Sequence, residues 1–425
     1  METQTELIER SLSVTRVGCK YSRVKAIEQQ TFRGRAARAV AHGKVGHAST
    51  TDGLTNDQLI TRAIETAQVD APANLILPET VTSSTTPDSA LTQLTEIELR
   101  DLARQMMRTI KRNQPDITIE LELRRLHETV EVHNSNGGEA QLTHTWLEGE
   151  AWVERRTGDD VLVALDNFST AQLDDSPLDF ARRMARRLRW AQTPIEPQPG
   201  PQAVIFSPTA FASLLQPMLW AFNGAHALAS TGRANKRRVG FATKIGKAVF
   251  DPQFSLYDDA TLPDRPHSAA VDHEGMATRR TALVERGVVT GFYHNLISAA
   301  QAETTSTGNG YRDLIDPPLP NPTNVRVAGG TLRLSDMLKN VERGLLIDLI
   351  GDSDSSIGLN GDFSRTIVLA YQIERGKVAG YVRGAGVSGD LYKSLRQIEA
   401  LSCDGYWSGD VFTPYIQLGG VTVTA

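Results

Sequence analysis

Ile117-Thr118-Ile119-Glu120-Leu121-Glu122-Leu123 alternates apolar and polar side chains at every position. Successive side chains of a β-strand point to opposite faces, so the apolar residues of this stretch share one face and the polar residues share the other. Val130 and Val132 continue the alternation up to Asn134-Ser135-Asn136-Gly137-Gly138, which is rich in turn-forming residues. The stretch therefore predicts a half-buried strand of an antiparallel sheet, followed by a tight turn.

Three helical patterns flank this strand. Apolar residues recur at helical spacing from about Asp52 to Gln68, and Thr95-x-x-Glu98 is a capping box before a second apolar stripe. A basic helix follows the sheet, with Ser176 predicted as its N-cap and Pro177 in its first turn. This half of the chain is therefore expected to combine helices with an antiparallel sheet.

The sequence after residue 201 predicts mostly strands and turns. A strand, Ala203–Phe206, precedes a helix that begins at Ser207-Pro208, and another helix is expected over residues 390–401. Two hairpins, 281–293 and 366–382, turn at Arg286-Gly287 and Arg375-Gly376, and a strand over 420–423 ends the pattern. These elements predict a second antiparallel sheet.

Proline-rich stretches divide the chain. Four prolines between residues 194 and 201 lack backbone donors and favour an extended linker, so the main boundary is placed there. A Thr/Ser/Pro-rich loop at 77–87 marks a lesser boundary. The predicted parts are an N-terminal α/β domain (1–80), a middle segment of helix and antiparallel strands (88–192) and a larger β-rich C-terminal domain (201–425). The predicted fold class is α+β, with an N-terminal α/β region and a C-terminal domain built on antiparallel sheet with a few helices.

Composition sets the expected compartment and excludes some partners. A length of 425 residues with 40% hydrophobic content can bury a large core, as a soluble protein of two or three domains does. The net charge of -5 gives no overall attraction for nucleic acid, and the first residues lack the pattern of a signal peptide. We therefore expect a cytoplasmic protein without a membrane partner. Cys19 and Cys403 are too few for a disulfide framework and are expected to be buried apolar groups.

Five turns occur in a fixed order over the second half. They are Asp272-His273-Glu274-Gly275, Thr307-Gly308-Asn309-Gly310, Asn321-Pro322-Thr323-Asn324, Gly361-Asp362-Phe363-Ser364 and Leu418-Gly419-Gly420-Val421. In this order the sequence resembles the TldD/PmbA family, most closely from about residue 201 onward. The resemblance is greatest to the PmbA branch, also called TldE, whose members are similar to the peptidase subunit but lack its zinc motif.

The family's peptidase branch carries a His-Glu-x-x-Gly-His helix where this chain has Leu219-Trp220-Ala221-Phe222-Asn223-Gly224-Ala225-His226. Matching the shared glycine to Gly224 places Trp220, Ala221 and Ala225 at the His, Glu and His positions. A catalytic zinc needs about three protein ligands, and these side chains supply none. His226, one position further along a helix, is expected to point away from the face of Trp220. The family's third ligand, a cysteine, has no clear match, since Cys403 lies in a predicted 402–405 turn.

The resemblance implies a subunit without catalytic residues or a cofactor of its own. A TldD-like zinc peptidase would supply zinc and hydrolysis in a heterodimer, and this chain would complete a chamber for an unfolded peptide. The isolated chain as a homodimer is left open. The candidate substrate-binding residues belong to the turns: Asp272, Glu274, Thr307, Gly308, Asn309, Asn324, Gly361, Asp362 and Ser364.

Two other functions stay open. The chain could be a metallopeptidase in its own right with unrecognised ligands. Asp272 and Glu274 would share a strand face, but two carboxylates without a nearby set of histidine ligands more often fix a turn than hold a metal. It could also be a nucleic-acid-associated regulator, as the basic run Arg233-Ala234-Asn235-Lys236-Arg237-Arg238 allows. An association with DNA gyrase is implied only by the resemblance, since some members of the family are named for it. A solvated or partner-facing loop is the preferred interpretation of that run, so nucleic acid is not expected as a partner.

Overall fold

The computed structural model describes residues 3–51, 53–72, 75–79, 88–114, 116–158, 160–198, 202–231, 241–313, 316–351 and 360–424. The basic run 233–238 lies outside these residues, as does most of the predicted boundary at 77–87. Within the described ranges, no helix is long and apolar enough to cross a membrane.

The N-terminal half is built on an antiparallel sheet with helices packed against it. Its strands follow the order β4-β3-β2-β1-β5-β6-β7, and every neighbouring pair is antiparallel. The elements are β1 (Gln4–Lys20), β2 (Arg23–Ala41), β3 (Lys44–Thr50), α1 (Asn56–Glu65), β4 (Val69–Asp70), α2 (Ser89–Gln93), α3 (Glu96–Lys111), β5 (Ile117–Asn134), β6 (Glu139–Thr157), β7 (Asp160–Thr170) and α4 (Ser176–Trp190).

The alternating stretch lies in β5, and its predicted strand is confirmed. All four of its apolar side chains are buried, and the turn at 134–138 leads from β5 into β6. β5 also pairs with β1 along its length, with Val17 opposite Leu123 and Ile8 opposite Val132. Strands from the predicted N-terminal and middle parts therefore share one sheet, while the division of the chain into three domains stays a prediction.

Helix starts in this half agree closely with the sequence. The Thr95 hydroxyl accepts the Glu98 N–H at 3.3 Å and the Glu98 carboxylate accepts the Thr95 N–H at 2.8 Å, so the capping box is confirmed. The N-cap prediction for α4 is wrong by one residue. Ser176 is already helical, because the Asp174 carboxylate accepts its N–H at 2.9 Å and Asp175 occupies the cap position.

The C-terminal half is a larger mixed sheet with short helices. Most neighbouring strands are antiparallel, but β8 pairs with β15 and β14 with β20 in parallel. The elements are β8 (Ala203–Phe206), α5 (Pro208–Ala221), α6 (Gly224–Thr231), β9 (Leu256–Asp259), β10 (Arg280–Glu285), β11 (Val288–Val289), α7 (Leu296–Gln301), β12 (Gly310–Tyr311), β13 (Leu319–Pro320), β14 (Val325–Val327), α8 (Leu334–Lys339), β15 (Arg343–Ile350), β16 (Asp362–Glu374), β17 (Lys377–Val382), β18 (Gly386–Asp390), α9 (Leu391–Ser394), β19 (Ile398–Ser408), β20 (Val411–Leu418) and β21 (Thr422–Thr424).

The predicted α+β class is confirmed, and both predicted hairpins turn where expected, between β10 and β11 and between β16 and β17. The helix predicted over 390–401 is wrong beyond its first turn. Residues 398–408 pair with β20, so a tertiary partner overrides the local helical pattern. Cys403 is exposed in an irregular part of this pairing, which corrects its predicted burial, whereas Cys19 is buried as expected.

Helix α4 lies between the two sheets. Its apolar side chains join a core that also contains β5, β8, β15 and β16 residues, with Leu123, Phe180, Ile205, Leu346 and Tyr371 among its buried members. Behind this core, Arg187 of α4 is buried and pairs with Asp348 at 2.9 Å and Asp166 at 3.2 Å. The two halves are therefore joined by an apolar core as well as by buried charge.

A second group of buried charges joins the halves at the other end of the N-terminal sheet. Glu6 of β1 faces Arg38 of β2 at 2.6 Å, and Arg38 also bonds Glu274 while Arg312 bonds Glu6. All four side chains have no solvent exposure. Burial alone raises the pKa of Glu6, but the two guanidinium groups outweigh it and lower that pKa. The cluster is charge-balanced and holds residues 274 and 312 against β1 and β2.

Replacing Arg38 with Ala should strongly destabilise the fold, because it leaves Glu6 and Glu274 buried with too little compensating charge. We expect the free energy of unfolding at neutral pH to fall by about 3–5 kcal/mol, measured by chemical denaturation. Arg16→Ala is the matched control on the same sheet, since its pairs with Glu28 and Glu122 are solvent-exposed; it should cost less than about 1 kcal/mol. Equal effects of the two substitutions would contradict this account.

Candidate functional site

Three of the five turns converge on one cavity of about 120 Å³ between the N-terminal sheet and the C-terminal half. Asp272 and His273 come from the first turn, 308–310 from the second and 321–323 from the third. The opposite wall belongs to the N-terminal sheet and includes Arg10, Glu128, His144 and Trp146. Residues distant in sequence thus form a single polar site.

Asp272 holds two of these turns together. One carboxylate oxygen accepts the N–H groups of Glu274 and Met276, each at 2.9 Å, and the other accepts the Gly310 N–H at 2.7 Å. Burial and, to a lesser extent, the Glu274 carboxylate raise the pKa of Asp272, although the three N–H donors act to lower it. The preferred interpretation of this residue, a carboxylate that fixes a turn, agrees with the observed geometry.

Asn309 links the second turn to the third. Its side-chain oxygen accepts the Thr307 hydroxyl at 2.6 Å, while its amide donates to Asp258 at 2.5 Å and to the Asn321 carbonyl at 2.9 Å. Asp258 in turn accepts the Thr323 N–H at 2.7 Å. The buried side chains Thr307 and Asn309 therefore serve as the framework of the cavity wall.

The remaining candidates lie behind or outside the cavity. Glu274 belongs to the buried charge cluster and accepts the Leu296 N–H at 2.8 Å. Asn324 is fully buried and donates to the Asp259 carbonyl at 3.0 Å and the Ser268 hydroxyl at 2.9 Å. A final group lies on or beside β16 near its pairing with β18 and does not line this cavity: Gly361, Asp362 and Ser364.

Several cavity residues carry no signal in the sequence. Arg10 of β1 pairs with Glu128 of β5 at 2.5 Å, and His144 of β6 lines the same wall. Tyr311 packs against His273 with ring centroids 5.1 Å apart. The sequence predicts no strand around Arg10 or His144, and the histidines and the carboxylate meet only through the pairing of distant strands.

The ionisable groups of the cavity have shifted pKa values. Burial lowers the pKa of His273 to about 4 and also lowers that of His144, so both rings are neutral at neutral pH. Burial works to raise the pKa of Glu128, but His273 and Arg10 lower it overall, and the carboxylate stays charged. The backbone N–H of Arg312 donates to Nδ1 of His273 at 3.3 Å, which suits the neutral ring.

This cavity is suited to hydrogen bonding with a single side chain. Its volume is well below the roughly 300–1,000 Å³ of sites that enclose a whole small molecule. Neutral histidines both donate and accept hydrogen bonds, and the Arg10–Glu128 pair adds charged groups. In the part of the chain that the structure describes, no group of three His, Cys, Asp or Glu side chains is placed to hold a metal ion.

The segment 219–226 is two helices with a break between them. Helix α5 ends at Ala221, and Asn223 begins α6 by accepting the Ala225 N–H at 2.9 Å. His226 packs edge-on against Trp220 with ring centroids 5.2 Å apart, so the prediction that it points away from Trp220 is wrong. The break causes this difference, because the angle between the two residues no longer follows one helix.

The residues at the expected zinc positions do not fit a zinc ion. The Trp220 side chain is 55% exposed, but its indole nitrogen has no free lone pair with which to bind a metal. Ala221 and Ala225 have only methyl groups. The break at Asn223 also places position 225 on a different helix from 220 and 221. This segment therefore supplies neither the ligands nor the rigid spacing that a catalytic zinc requires.

A larger cavity of about 540 Å³ lies beside α6. Gly224 and Ala227 of that helix line it together with His294 and Thr307. A side chain at position 224 has no room, because a Cβ would come within 2.1 Å of Nδ1 of His294. The 307–310 turn therefore lies between this cavity and the smaller one, and both adjoin the same backbone.

Residues 199–425, more than half of the chain, match the family profile described as the PmbA/TldA metallopeptidase C-terminal domain. The chain belongs to the TldD/PmbA family.

Two proteins with similar sequences show how far the similarity extends. The metalloprotease TldD homolog of Haemophilus influenzae is 28% identical over 38% of this chain, and the match spans about a third of that protein's length, 34%. An uncharacterised protein of Methanocaldococcus jannaschii is 26% identical over 68% of this chain and 65% of its own length.

The fold of this chain also occurs in a solved structure. TldE from Thermococcus kodakarensis superposes with a TM-score of 0.88 at 22% identity, covering 99% of this chain and 97% of that one. At this identity the likeness shows a shared fold. The profile match over residues 199–425 confirms the resemblance to the family inferred from the order of the turns.

Gly308→Ala should destabilise the site more than the same change at Gly246. Both glycines have φ of +74°, so each substitution carries left-handed strain of about 1–2 kcal/mol. A Cβ at Gly308 would also come within 2.5 Å of the Ala277 carbonyl oxygen, whereas Gly246 has open space. We expect Gly308→Ala to cost about 1–3 kcal/mol more in the free energy of unfolding, measured in urea. Equal costs would show that the turn relaxes enough to accommodate the added methyl group, and would contradict this prediction.

The neutral state of His273 predicts a pH dependence of stability. The unfolded chain takes up a proton on this residue below its ordinary pKa of 6.5, whereas the folded chain does so only near pH 4. Its contribution to stability is therefore full above pH 6.5 and is lost as the pH falls toward 4. His273→Gln should flatten this part of the curve of urea midpoint against pH, while His133→Gln, at an exposed position, should leave it unchanged. An unaltered slope in His273→Gln would contradict the assignment.

Proposed function

We propose that this chain is the non-catalytic subunit of a TldD/TldE-type metallopeptidase complex that degrades or matures unfolded peptides. A zinc-bearing partner supplies the metal and the hydrolytic chemistry, and this chain completes the substrate chamber. The protein acts in the cytoplasm as part of a heterodimer. No residue of this chain is assigned a catalytic role.

The observation that carries the proposal is the convergence of three turns on one polar cavity. A chain with no binding role has no evident need to keep the 272–275, 307–310 and 321–324 turns in contact through buried carboxylate and amide groups. The cavity presents backbone together with His144, His273 and Tyr311. The cavity can hold one side chain of an extended peptide, whose main-chain donors and acceptors occur at regular intervals and can bond the backbone of the turns.

The loss of zinc ligands supports the non-catalytic half of the proposal. Trp220, Ala221 and Ala225 cannot hold a metal or take a proton from water. The match covers only 34% of the length of the metalloprotease relative, so the activity of that protein does not by itself indicate an activity of this chain. Family membership and the altered segment together favour a supporting subunit over an autonomous peptidase.

The chain alone should leave unfolded peptides uncut, and a mixture with a zinc-bearing TldD-type relative should cleave them. Tyr311→Ala should lower the kcat/KM of the mixture about tenfold, because it removes a ring from the cavity wall. Phe32→Ala is the matched control: this ring is 54% exposed on β2 and does not line the cavity. Cleavage is measured with a casein-derived unfolded peptide.

Three results would count against this proposal. Cleavage by the isolated chain, together with stoichiometric zinc in elemental analysis, would favour an autonomous peptidase. A relative that works equally well without this chain would remove the need for a heterodimer. Sequence-selective DNA binding, abolished by changing Arg233, Lys236, Arg237 and Arg238 to Ala, would favour the gyrase-associated regulator.

A further inference from the structure

Another cavity, of about 850 Å³, is an open groove along α4. Helix α4, the start of α8 and the 404–407 segment of β19 form its walls. Arginine is the dominant residue of its lining: Arg182, Arg183, Arg186, Arg189, Arg265 and Arg333.

Helical spacing collects four of these arginines on one face of α4. Residues 182, 186 and 189 are separated by four and three positions, so they lie near one line along the helix. Arg183, three positions before Arg186, lies about 60° round the helix from Arg186 and widens this basic face. The opposite face is apolar and buried, with Phe180, Met184 and Leu188 in the core. Burial of that face therefore fixes the direction of the basic face.

Carboxylates do not neutralise this groove. Arg182 pairs with Asp179 at 2.6 Å and Arg183 with Asp166 at 3.5 Å. For the other four, no carboxylate of the described residues lies within ion-pair distance: Arg186, Arg189, Arg265 and Arg333. Asp404, the second acid in the lining, already accepts the Leu334 N–H at 2.6 Å.

Arg265 is the most constrained of these cations. It is only 3% exposed, and its guanidinium donates to the Ser169 carbonyl and hydroxyl, both at 2.7 Å, and to the Gly409 carbonyl at 3.0 Å. Burial lowers its pKa to about 10, so it remains charged at neutral pH. Asp410, the acid that most opposes this lowering of the pKa, bonds His267 at 3.1 Å. A buried cation without a paired carboxylate favours an anionic ligand nearby.

Aromatic rings hold the guanidinium groups in place. Arg183 lies over the Tyr406 ring at 4.2 Å and Arg265 over the Trp407 ring at 3.9 Å. Arg186 lies over Trp190 at 5.1 Å and donates to the Tyr415 hydroxyl at 2.9 Å. These contacts order the donors before a ligand arrives, which reduces the entropy lost on binding.

We propose that this groove binds an acidic polypeptide segment through the carboxylates of its Asp and Glu side chains. Guanidinium forks match carboxylates in a bidentate geometry. The span from residue 182 to 189 is about 10 Å along a helix, the length of about three residues of extended chain. The proposal does not depend on the peptidase role, because the segment can belong to any protein that carries such a sequence.

A nucleic acid fits the groove less well. Single strands are bound largely by stacking of bases on free aromatic faces, and here guanidinium groups lie over the rings of Tyr406 and Trp407. The net charge of -5 also opposes a long polyanion outside the groove. The observations therefore favour a short acidic segment.

The test is fluorescence anisotropy of the full chain with a labelled peptide of alternating glutamate and alanine. We expect binding that weakens with added salt, and a double variant Arg189→Glu/Arg333→Glu should bind about tenfold or more weakly. Arg62→Glu is the matched control, since Arg62 and Arg189 are both exposed in the last turn of a helix. The same peptide with lysine in place of glutamate should not bind.

Unmodified protein provides a second measurement that needs no variant. The glutamate peptide should protect Arg186 and Arg189 from phenylglyoxal, mapped by mass spectrometry, and leave Arg62 reactive. Absence of binding to the glutamate peptide, or equal binding by the double variant, would overturn the proposal. Tighter binding of a single-stranded oligonucleotide of equal charge would replace the acidic polypeptide with a nucleic acid.

Discussion

The buried charge cluster of Glu6, Arg38, Glu274 and Arg312 is the constraint on which the arrangement of the cavity depends. Charges removed from water must compensate each other, so these ion pairs hold the 272–275 turn against the N-terminal sheet. Asp272 of the first turn accepts the Gly310 N–H of the second, and the Asn309 amide of the second turn donates to the Asn321 carbonyl of the third, so the three turns are fixed relative to one another. The polar cavity is therefore a consequence of how two distant parts of the chain satisfy each other's charges.

The segment at the positions of the family's zinc ligands and the turns in the family's order differ in what they offer chemically. Trp220 and Ala221 end one helix, and Ala225 lies on the next, so both the ligands and their shared helical face are gone. The turns around the two cavities remain tightly hydrogen-bonded. This combination fits the proposed role of a subunit that shapes a chamber, because peptide binding can use the backbone of turns while zinc chemistry depends on particular side chains.

Local patterns in the sequence were reliable where they were supported by local physics. The Thr95–Glu98 capping box, the Ser207 cap and the alternation in β5 each depend on neighbours within a few residues, and each is present as expected. Residues 398–401 show the limit, since a helical pattern became a strand once β20 was available as a partner. His226 shows another, because one capping residue, Asn223, changed its direction.

The sequence by itself determined the family, the α+β class, the absence of metal-ligating side chains at 220, 221 and 225, and the turns that line the cavity. Tertiary structure alone decided that Arg10, Glu128 and His144 face those turns, that Gly361, Asp362 and Ser364 do not, and that six arginines share a groove. The physical reason is the range of the interactions. Caps, alternation and glycine turns act over a few residues, whereas buried charge and strand pairing join residues hundreds of positions apart, and no local pattern encodes which of them meet.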